Sequence, residues 1–431
     1  MYMINKREYS ICSLIGVFVI ITLIGCRLNS GVVNGNKNIP ANGPKWVTNS
    51  LVKDGVFKTP VVTFTKEYDK YNEFKNQKGL FINGLDFHNK KTKVFCWYGV
   101  PETLKKGEKA PAVVLVHGGG GTAFPKWVKK WNDHGYIAIS IALEGQAPGP
   151  KIKDDNDKLV YQRHNYSGPA RQGFFLDIMN ENLENQWFYH AVADVILANS
   201  FLHSLPEVDS TKIGITGISW GGILTNVITG IDHRFAFAVP VYGCGFLHET
   251  PCYRKQLEEH TQESRKFYME NWEPSLYTPL QKLPTLFVAG TNDTHFSLNS
   301  LTNTVKTSSS KDKYLRVAYK MVHGHVAGWN PEEIYHFADY VTKNGEAPVT
   351  FRIRKNSIKF KGKLSKAVLY YTTDTADWDA ESYEWLKTSA QFSNSDKTIN
   401  VNIPEEAVYY FVNGIDSYGL MYSSLMKRNI K

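Results

Sequence analysis

The chain has 431 residues, of which 42% are hydrophobic and 21% are charged, as in folded proteins of average composition. This length allows two or three domains and excludes a lone small module. The formal net charge is +9 at pH 7, but the Lys and Arg residues are scattered and form no basic run, so we expect no nucleic-acid partner.

The first residues are typical of an exported protein. A short basic start is followed by an apolar run at residues 11–25, which is shorter than the ~20 residues that a membrane-spanning helix needs. Residues 1–25 are therefore predicted to be a signal peptide. Residues 23–26 are Leu-Ile-Gly-Cys, which resembles the lipobox of bacterial lipoproteins. We expect a lipid on Cys26 to hold the chain to a bacterial membrane, outside the cytoplasm, with an uncleaved anchor as the alternative.

Residues 26–48 are rich in Asn, Gly and Pro and show no hydrophobic periodicity, which predicts a tether. Further on, two segments in which apolar and polar residues alternate flank a polar turn at residues 88–91. They predict an antiparallel hairpin within residues 79–100.

From residue 111 the pattern changes to short apolar strands that alternate with helical stretches, such as residues 186–205. Strands that are apolar throughout are typical of a mostly parallel sheet covered by helices on both faces. We therefore predict an α/β domain over residues 49–346, in which residues 150–185 and 245–282 are insertions that cover the site. The predicted strands lie at residues 111–117, 136–143, 212–218, 235–241, 284–289 and 314–322.

After residue 346 the helical pattern stops and β-patterned segments follow. Residues 347–431 are predicted to form a small Ig-like β-sandwich. Its Trp378, Tyr383 and Trp385 either stack on sugars or pack the domain core.

The cysteine count allows at most one disulfide outside the signal peptide and Cys26, because three cysteines remain. Cys244 and Cys252 are the candidate pair. The alternative hypothesis is that these two cysteines stay unpaired, as Cys96 does.

A nucleophilic serine is predicted at Ser219. Residues 217–221 are Gly-Ile-Ser-Trp-Gly, a GxSxG motif that follows a predicted strand and precedes a helical stretch. A serine hydroxyl becomes a good nucleophile when an imidazole takes its proton and a carboxylate orients that imidazole. Asp293 follows one later strand, and His323 and His325 follow the next. The chain order of acid and base is that of α/β-hydrolases.

Two histidines compete for the role of base. We favour His325, with His323 as the alternative, because Gly324 frees the turn before His325 and a helix starts close behind it. The other histidine is then structural. A His-x-His pair also occurs in metal sites, but no ligands at zinc spacing accompany this one, so we expect neither a metal nor a cofactor. Asn292 and His295 are predicted to line the pocket.

An oxyanion hole is predicted from residues 117–121, which are His-Gly-Gly-Gly-Gly and directly follow a strand. Glycines let backbone N–H groups turn toward the oxygen of a tetrahedral intermediate, which carries negative charge. We predict Gly119 and Trp220 as the two donors. A phosphate-binding loop is disfavoured because its Gly-Lys-Ser/Thr ending is absent from this segment.

These motifs resemble the α/β-hydrolase superfamily, in particular its branch of dienelactone hydrolases, acetyl xylan esterases and prolyl oligopeptidase catalytic domains. The resemblance covers residues 111–344. It implies the nucleophile, acid, base and oxyanion donors at Ser219, Asp293, His325 or His323, Gly119 and Trp220.

The leading hypothesis is a serine carboxylic-ester hydrolase that acts through an acyl-enzyme and deacylates extracellular carbohydrate, for example an acetylated polysaccharide. A serine peptidase of the prolyl oligopeptidase type is the first alternative, although the propeller repeats usual in those enzymes are missing from this sequence. The second alternative is a surface lipoprotein that binds glycans without catalysis.

Overall fold

The computed structural model describes residues 43–172, 181–354, 357–374 and 384–429. The predicted signal peptide and the lipidation site at Cys26 lie outside these residues. The described part of the chain contains no helix that is both long and apolar enough to cross a membrane.

A helix begins where the tether was predicted to continue. It spans Gly43–Lys53 and buries Val47 and Leu51, two apolar residues four apart that lie on one face of the helix. The tether predicted over residues 26–48 is therefore too long at its C-terminal end, because residues 43–48 already belong to the packed structure.

A nine-stranded sheet forms the centre of the structure. The strands up to residue 320 are β1 (Val62–Thr65), β2 (Gln77–Asn83), β3 (Lys93–Gly99), β4 (Ala110–Val116), β5 (Ile137–Ile141), β6 (Ile152–Lys153), β7 (Leu159–Val160), β8 (Val208–Ile218), β9 (Phe237–Val241), β10 (Thr285–Gly290) and β11 (Lys313–Ala318). The sheet order is β1-β2-β3-β5-β4-β8-β9-β10-β11, and β6 pairs with β7 separately.

The first part of this sheet is antiparallel and the rest is parallel. The pairs β1–β2, β2–β3 and β3–β5 are antiparallel, which confirms the predicted hairpin, and every pair from β5 to β11 is parallel. All residues of β5, β9 and β10 are buried. Apolar side chains on both faces of a strand are shielded from water only when helices cover both sides of the sheet.

Helices supply that cover. The helices in the described part of the chain are α1 (Gly43–Lys53), α2 (Pro125–Asp133), α3 (Trp187–Ser204), α4 (Trp220–Thr229), α5 (Pro251–Glu258), α6 (Gln262–Asn271), α7 (Leu298–Thr307), α8 (His325–Trp329) and α9 (Glu332–Thr342). The hairpin β6–β7 and the helices α5 and α6 lie in the two segments predicted as insertions. The predicted α/β architecture is confirmed.

Two antiparallel sheets follow the α/β part, which confirms the predicted small β domain. Their strands are β12 (Thr350–Ile353), β13 (Ile358–Lys361), β14 (Leu364–Thr372), β15 (Leu386–Ser389), β16 (Gln391–Ser393), β17 (Thr398–Asn400), β18 (Tyr409–Asp416), β19 (Met421–Ser423) and β20 (Lys427–Arg428). One sheet has the order β12-β13-β17-β16, and the other has the order β15-β14-β18-β19 with β20 beside β18.

The β domain braces the strand that leads to the two candidate histidines. The backbone N–H of Val317 in β11 donates to Ser423 Oγ at 2.7 Å, and Asn413 Nδ2 donates to the carbonyl of Val317 at 2.9 Å. Trp385 is 2% exposed and packs on Phe411, so it belongs to the core of this domain rather than to a sugar-binding surface. Trp378 and Tyr383 lie outside the described residues.

The candidate disulfide is not formed. Cys244 and Cys252 both keep their thiols, as does Cys96. Cys96 and Cys244 are buried, and Cys252 is partly exposed.

Candidate active site

Ser219 occupies a sharp turn between β8 and α4. Its backbone has φ 59° and ψ −115°, a conformation that non-glycine residues rarely adopt. The chain turns this tightly because its neighbours are glycines: a Cβ on Gly221 would lie 2.0 Å from the carbonyl oxygen of Val116, and a Cβ on Gly217 would lie 2.0 Å from that of Gly221. The turn is held by a hydrogen bond of 2.9 Å from the Ser219 N–H to the Val241 carbonyl.

Parallel strands bring the three predicted functional groups to one edge of the sheet. The strands β8, β10 and β11 are followed by Ser219, Asp293 and His323, respectively. They lie in the consecutive part β8-β9-β10-β11 of the sheet, so their carboxyl ends meet. This is the edge at which open α/β sheets bind ligands.

The side chains of Ser219, His323 and Asp293 form a continuous hydrogen-bonded chain. His323 Nε2 lies 3.0 Å from Ser219 Oγ, and His323 Nδ1 lies 3.0 Å and 3.1 Å from the two carboxylate oxygens of Asp293. The Asp293 side chain is fully buried, and its Oδ1 also accepts the backbone N–H groups of His295 and Phe296 at 2.8 and 3.1 Å. A carboxylate accepts hydrogen bonds only, so Nδ1 of His323 donates and Nε2 presents its lone pair to the serine hydroxyl.

The structure corrects the preference for His325 as the base. His325 Nε2 accepts the backbone N–H of Gly118 at 3.0 Å, so its lone pair is already engaged. Gly324 has φ 172°, which is extended backbone that any residue adopts, and the expected freedom of that glycine is not used. Burial is the main cause that lowers the pKa of His325 to about 4, which keeps the ring neutral and able to accept this bond near pH 7.

Two neutral histidines fix the glycine loop. While His325 accepts the N–H of Gly118, His117 Nδ1 lies 2.7 Å from the Gly118 carbonyl, and His117 Nε2 accepts the N–H of Leu143 at 3.0 Å. Burial, above all, lowers the pKa of His117 to about 3. The loop residue Gly118 is therefore held from both sides by imidazoles.

This arrangement brings together the two residues predicted as oxyanion donors. A Cβ on Gly119 would lie 3.3 Å from Trp220 Cδ1, and a Cβ on Gly118 would lie 2.9 Å from Ser219 Cβ. The loop thus lies directly beside the serine and the start of α4. Gly119 and Trp220, the two predicted oxyanion donors, are therefore neighbours beside Ser219.

Aromatic rings surround His323, and sequence reasoning missed one of them. The ring of Tyr242 lies 4.6 Å from the His323 ring, and the ring of His295 lies 4.4 Å away at an interplanar angle of 25°. The Tyr242 hydroxyl donates to the Val322 carbonyl at 2.7 Å, and burial raises its pKa, so the hydroxyl stays protonated. The sequence offered one clue to Tyr242, which is its place in the chain. It directly follows β9, at the same edge of the sheet as Ser219 and His323.

The start of α4 is packed among large side chains. The Trp220 ring meets Trp187, Phe188 and Tyr253 edge to face, with centroids 5.7 to 6.3 Å apart. The guanidinium carbon of Arg171 lies 5.3 Å from the centroid of the Trp220 ring. This packing buries Trp220, the residue directly after Ser219.

Comparison with protein families gives a match over part of the chain. The model of the prolyl oligopeptidase family matches residues 174–344, which is less than half of the chain. This segment contains the candidate serine, aspartate and both histidines.

Two curated relatives match a similar part of the chain. The "Acetyl esterase Axe7A" of Xylanibacter ruminicola is 24% identical over 191 residues, which are 43% of this chain and 40% of that protein. The "Probable dipeptidyl-peptidase 5" of Aspergillus clavatus is 26% identical over 185 residues, which are 41% of this chain and 21% of that protein. The match therefore spans two fifths or less of these relatives.

Solved structures show the same fold. An acetyl xylan esterase from a Paenibacillus species superposes with a TM-score of 0.52 and 19% identity, covering 69% of this chain and 92% of that one. Acetyl xylan esterase 1 from a Thermoanaerobacterium species gives a TM-score of 0.54 and 15% identity, covering 69% and 93%. At this identity the likeness establishes the fold.

Proposed function

We propose that this serine hydrolase, whose chain has the α/β-hydrolase fold, cleaves carboxylic esters through an acyl-enzyme on Ser219. The observation that carries the proposal is the hydrogen-bonded chain from Ser219 through His323 to the buried carboxylate of Asp293. A serine beside a correctly oriented neutral imidazole is the arrangement that activates a hydroxyl for attack on a carbonyl carbon.

In the acylation step, His323 Nε2 takes the hydroxyl proton while Ser219 Oγ forms a bond to the carbonyl carbon of the ester. The negative charge that develops on the carbonyl oxygen is stabilised by the N–H groups of Gly119 and Trp220. His323 then gives its proton to the leaving alkoxide, and the alcohol departs. Asp293 remains ionised throughout, and it stabilises the imidazolium and holds its tautomer.

Deacylation repeats these steps with water as the nucleophile. His323 Nε2 takes a proton from water, the resulting hydroxide attacks the acyl carbon, and the Ser219–acyl bond breaks with return of the proton to Ser219 Oγ. The products are the free carboxylic acid and the regenerated serine. No group beyond the side chains named above is needed to balance this cycle.

We infer that the substrates are small acyl esters of carbohydrate, with acetyl as the first candidate acyl group. Support comes from the acetyl esterase among the curated relatives. A serine peptidase is the second candidate, favoured by the match to the prolyl oligopeptidase family over residues 174–344. Both reactions pass through an acyl-serine, so the triad geometry suits either one and the substrate decides between them.

A substrate comparison separates the two candidates. We expect kcat/KM for p-nitrophenyl acetate to exceed kcat/KM for prolyl p-nitroanilide peptides by at least about 100-fold, a difference of about 3 kcal/mol in activation free energy. Release of acetate from acetylated xylan should also be detectable. Faster cleavage of the prolyl anilides would replace the esterase proposal by the peptidase. Retention on insoluble xylan without turnover of any of these substrates would favour the non-catalytic binding protein.

We also propose that Cys26 is lipidated and that the enzyme acts outside the cytoplasm on a bacterial membrane. Support comes from the sequence before Cys26. Expressed in a bacterium, the chain should incorporate labelled fatty acid and sediment with membranes, whereas Cys26→Ser should incorporate none and appear in the soluble extracytoplasmic fraction. Equal labelling of both chains would overturn the proposed lipid site.

A further inference from the structure

Three metal-ligating side chains meet at the base of the triad. Among the described residues, Asp293, His295 and His323 each offer one ligand atom, and these atoms lie within 4.8 Å of one another. We propose that these three side chains form an inhibitory binding site for a transition-metal ion of the Zn²⁺ type. The inhibition, though not the binding, rests on the proposed function.

The spacing of the three ligands is close to what zinc needs. Bonds of about 2.0–2.2 Å from zinc to nitrogen and oxygen place two tetrahedral ligands roughly 3.4 Å apart. Asp293 Oδ2 and His323 Nδ1 are already 3.0 Å apart. The His295 ring lies beside the His323 ring with 4.4 Å between centroids. Because the three ligand atoms lie within 4.8 Å of one another, a side-chain rotation that moves the His295 ring nitrogen by about 1.4 Å completes the site.

The chemistry of the three groups also suits zinc. Two imidazoles and one carboxylate, with a fourth position left for water, are a common set of ligands for this ion. A histidine binds metal in its neutral form. His325 takes no part, because its Nε2 accepts the N–H of Gly118.

Metal binding at Nδ1 would switch His323 off as a base. A neutral imidazole carries one proton, which in the triad sits on Nδ1 and points to Asp293. When Nδ1 forms a bond to the metal, that proton moves to Nε2, and the charge of the ring is unchanged. Nε2 then becomes a donor and can no longer take the proton of Ser219, so acylation stops until the metal leaves.

Calorimetric titration of the full chain with Zn²⁺ tests the binding without any assay of activity. We expect one Zn²⁺ per chain in the wild type and the same affinity in Ser219→Ala, which keeps all three ligands. His295→Phe keeps a ring beside His323 but removes a ligand, and it should weaken the affinity at least 10-fold. If His295→Phe fails to fold, as judged by circular dichroism, His295→Gln replaces it in the same comparison.

Inhibition is measured for each protein as the ratio of its rate of ester hydrolysis with Zn²⁺ to its rate without Zn²⁺. The proteins therefore need not have the same rate in the absence of Zn²⁺. The wild type should lose activity with Zn²⁺ and regain it with EDTA, and His295→Phe should need at least 10-fold more Zn²⁺. The same midpoint in both proteins, or binding that disappears in Cys252→Ser instead, would overturn the proposed site. Tight binding in a chain that hydrolyses no ester would support the site and contradict the proposed function.

Discussion

Ser219→Ala is expected to lower kcat for p-nitrophenyl acetate by roughly 10⁴- to 10⁶-fold, leaving only the residual catalysis that the pocket and the oxyanion donors supply. The variant removes the atom that bonds to the acyl carbon, so no acyl-enzyme can form. The loss should appear in kcat, because the remaining pocket and the oxyanion donors still bind the ester. Initial rates at saturating substrate measure this change in kcat.

A measurement of the stability of Ser219→Ala distinguishes the loss of the nucleophile from misfolding of the variant. Alanine at position 219 tolerates φ 59° no better and no worse than serine, because both have a Cβ, so the unfolding midpoint should change little. Ser309→Ala, at an exposed serine that the mechanism does not use, is the matched control and should keep full activity. A Ser219→Ala protein with the wild-type rate, or one that still reacts covalently with a fluorophosphonate, would refute the assignment of the nucleophile.

The sheet was predictable because its strands are apolar on both faces. Residues 137–141 and 285–290 are continuous apolar or small runs, and such runs have few stable alternatives to burial in a parallel sheet. The helix Gly43–Lys53 was missed for the opposite reason. It buries only Val47 and Leu51, and these two residues stand in a polar segment in which the periodicity is too weak to detect.

The positions of Ser219 and Asp293 at one edge of the sheet followed from the predicted strands, whereas the histidine that contacts Ser219 did not. His323 and His325 share one loop, and the direction of each side chain depends on partners far away in the sequence. Gly118 binds His325 across 207 residues, and Ser219 binds His323 across 104. A local rule about Gly324 cannot anticipate such contacts, because tertiary packing decides them.

His323→Ala should lower kcat for ester hydrolysis by roughly 10⁴- to 10⁶-fold, about as much as Ser219→Ala, because the serine loses the group that takes its proton. The double variant should lose little more than either single variant, since the two residues act as a unit. His325→Gln should retain activity within about 10-fold, because a glutamine side-chain oxygen can still accept the N–H of Gly118. The reverse pattern, with His325→Gln inactive and His323→Ala active, would restore the sequence-based preference.

A second measurement shows what His325 does instead. Its pKa is lowered to about 4 in the folded protein, against about 6.5 for an unfolded histidine. Below pH 6.5 the unfolded chain binds a proton that the folded chain refuses, so the stability that the neutral ring contributes is complete above pH 6.5 and is lost as the pH falls toward 4. The loss from this residue amounts to about 3 kcal/mol over that interval.

Urea unfolding at pH 7.5 and pH 4.5 should therefore show a smaller loss of unfolding free energy for His325→Gln than for the wild type, because glutamine does not titrate. His117, with its pKa lowered to about 3, keeps its own share of the acid sensitivity in both proteins. An unchanged pH dependence in His325→Gln would mean that this imidazole is not held neutral by the fold. The expected acid sensitivity and the shape of the glycine loop thus have one cause, which is that the neutral imidazoles of His117 and His325 hold Gly118 beside Ser219.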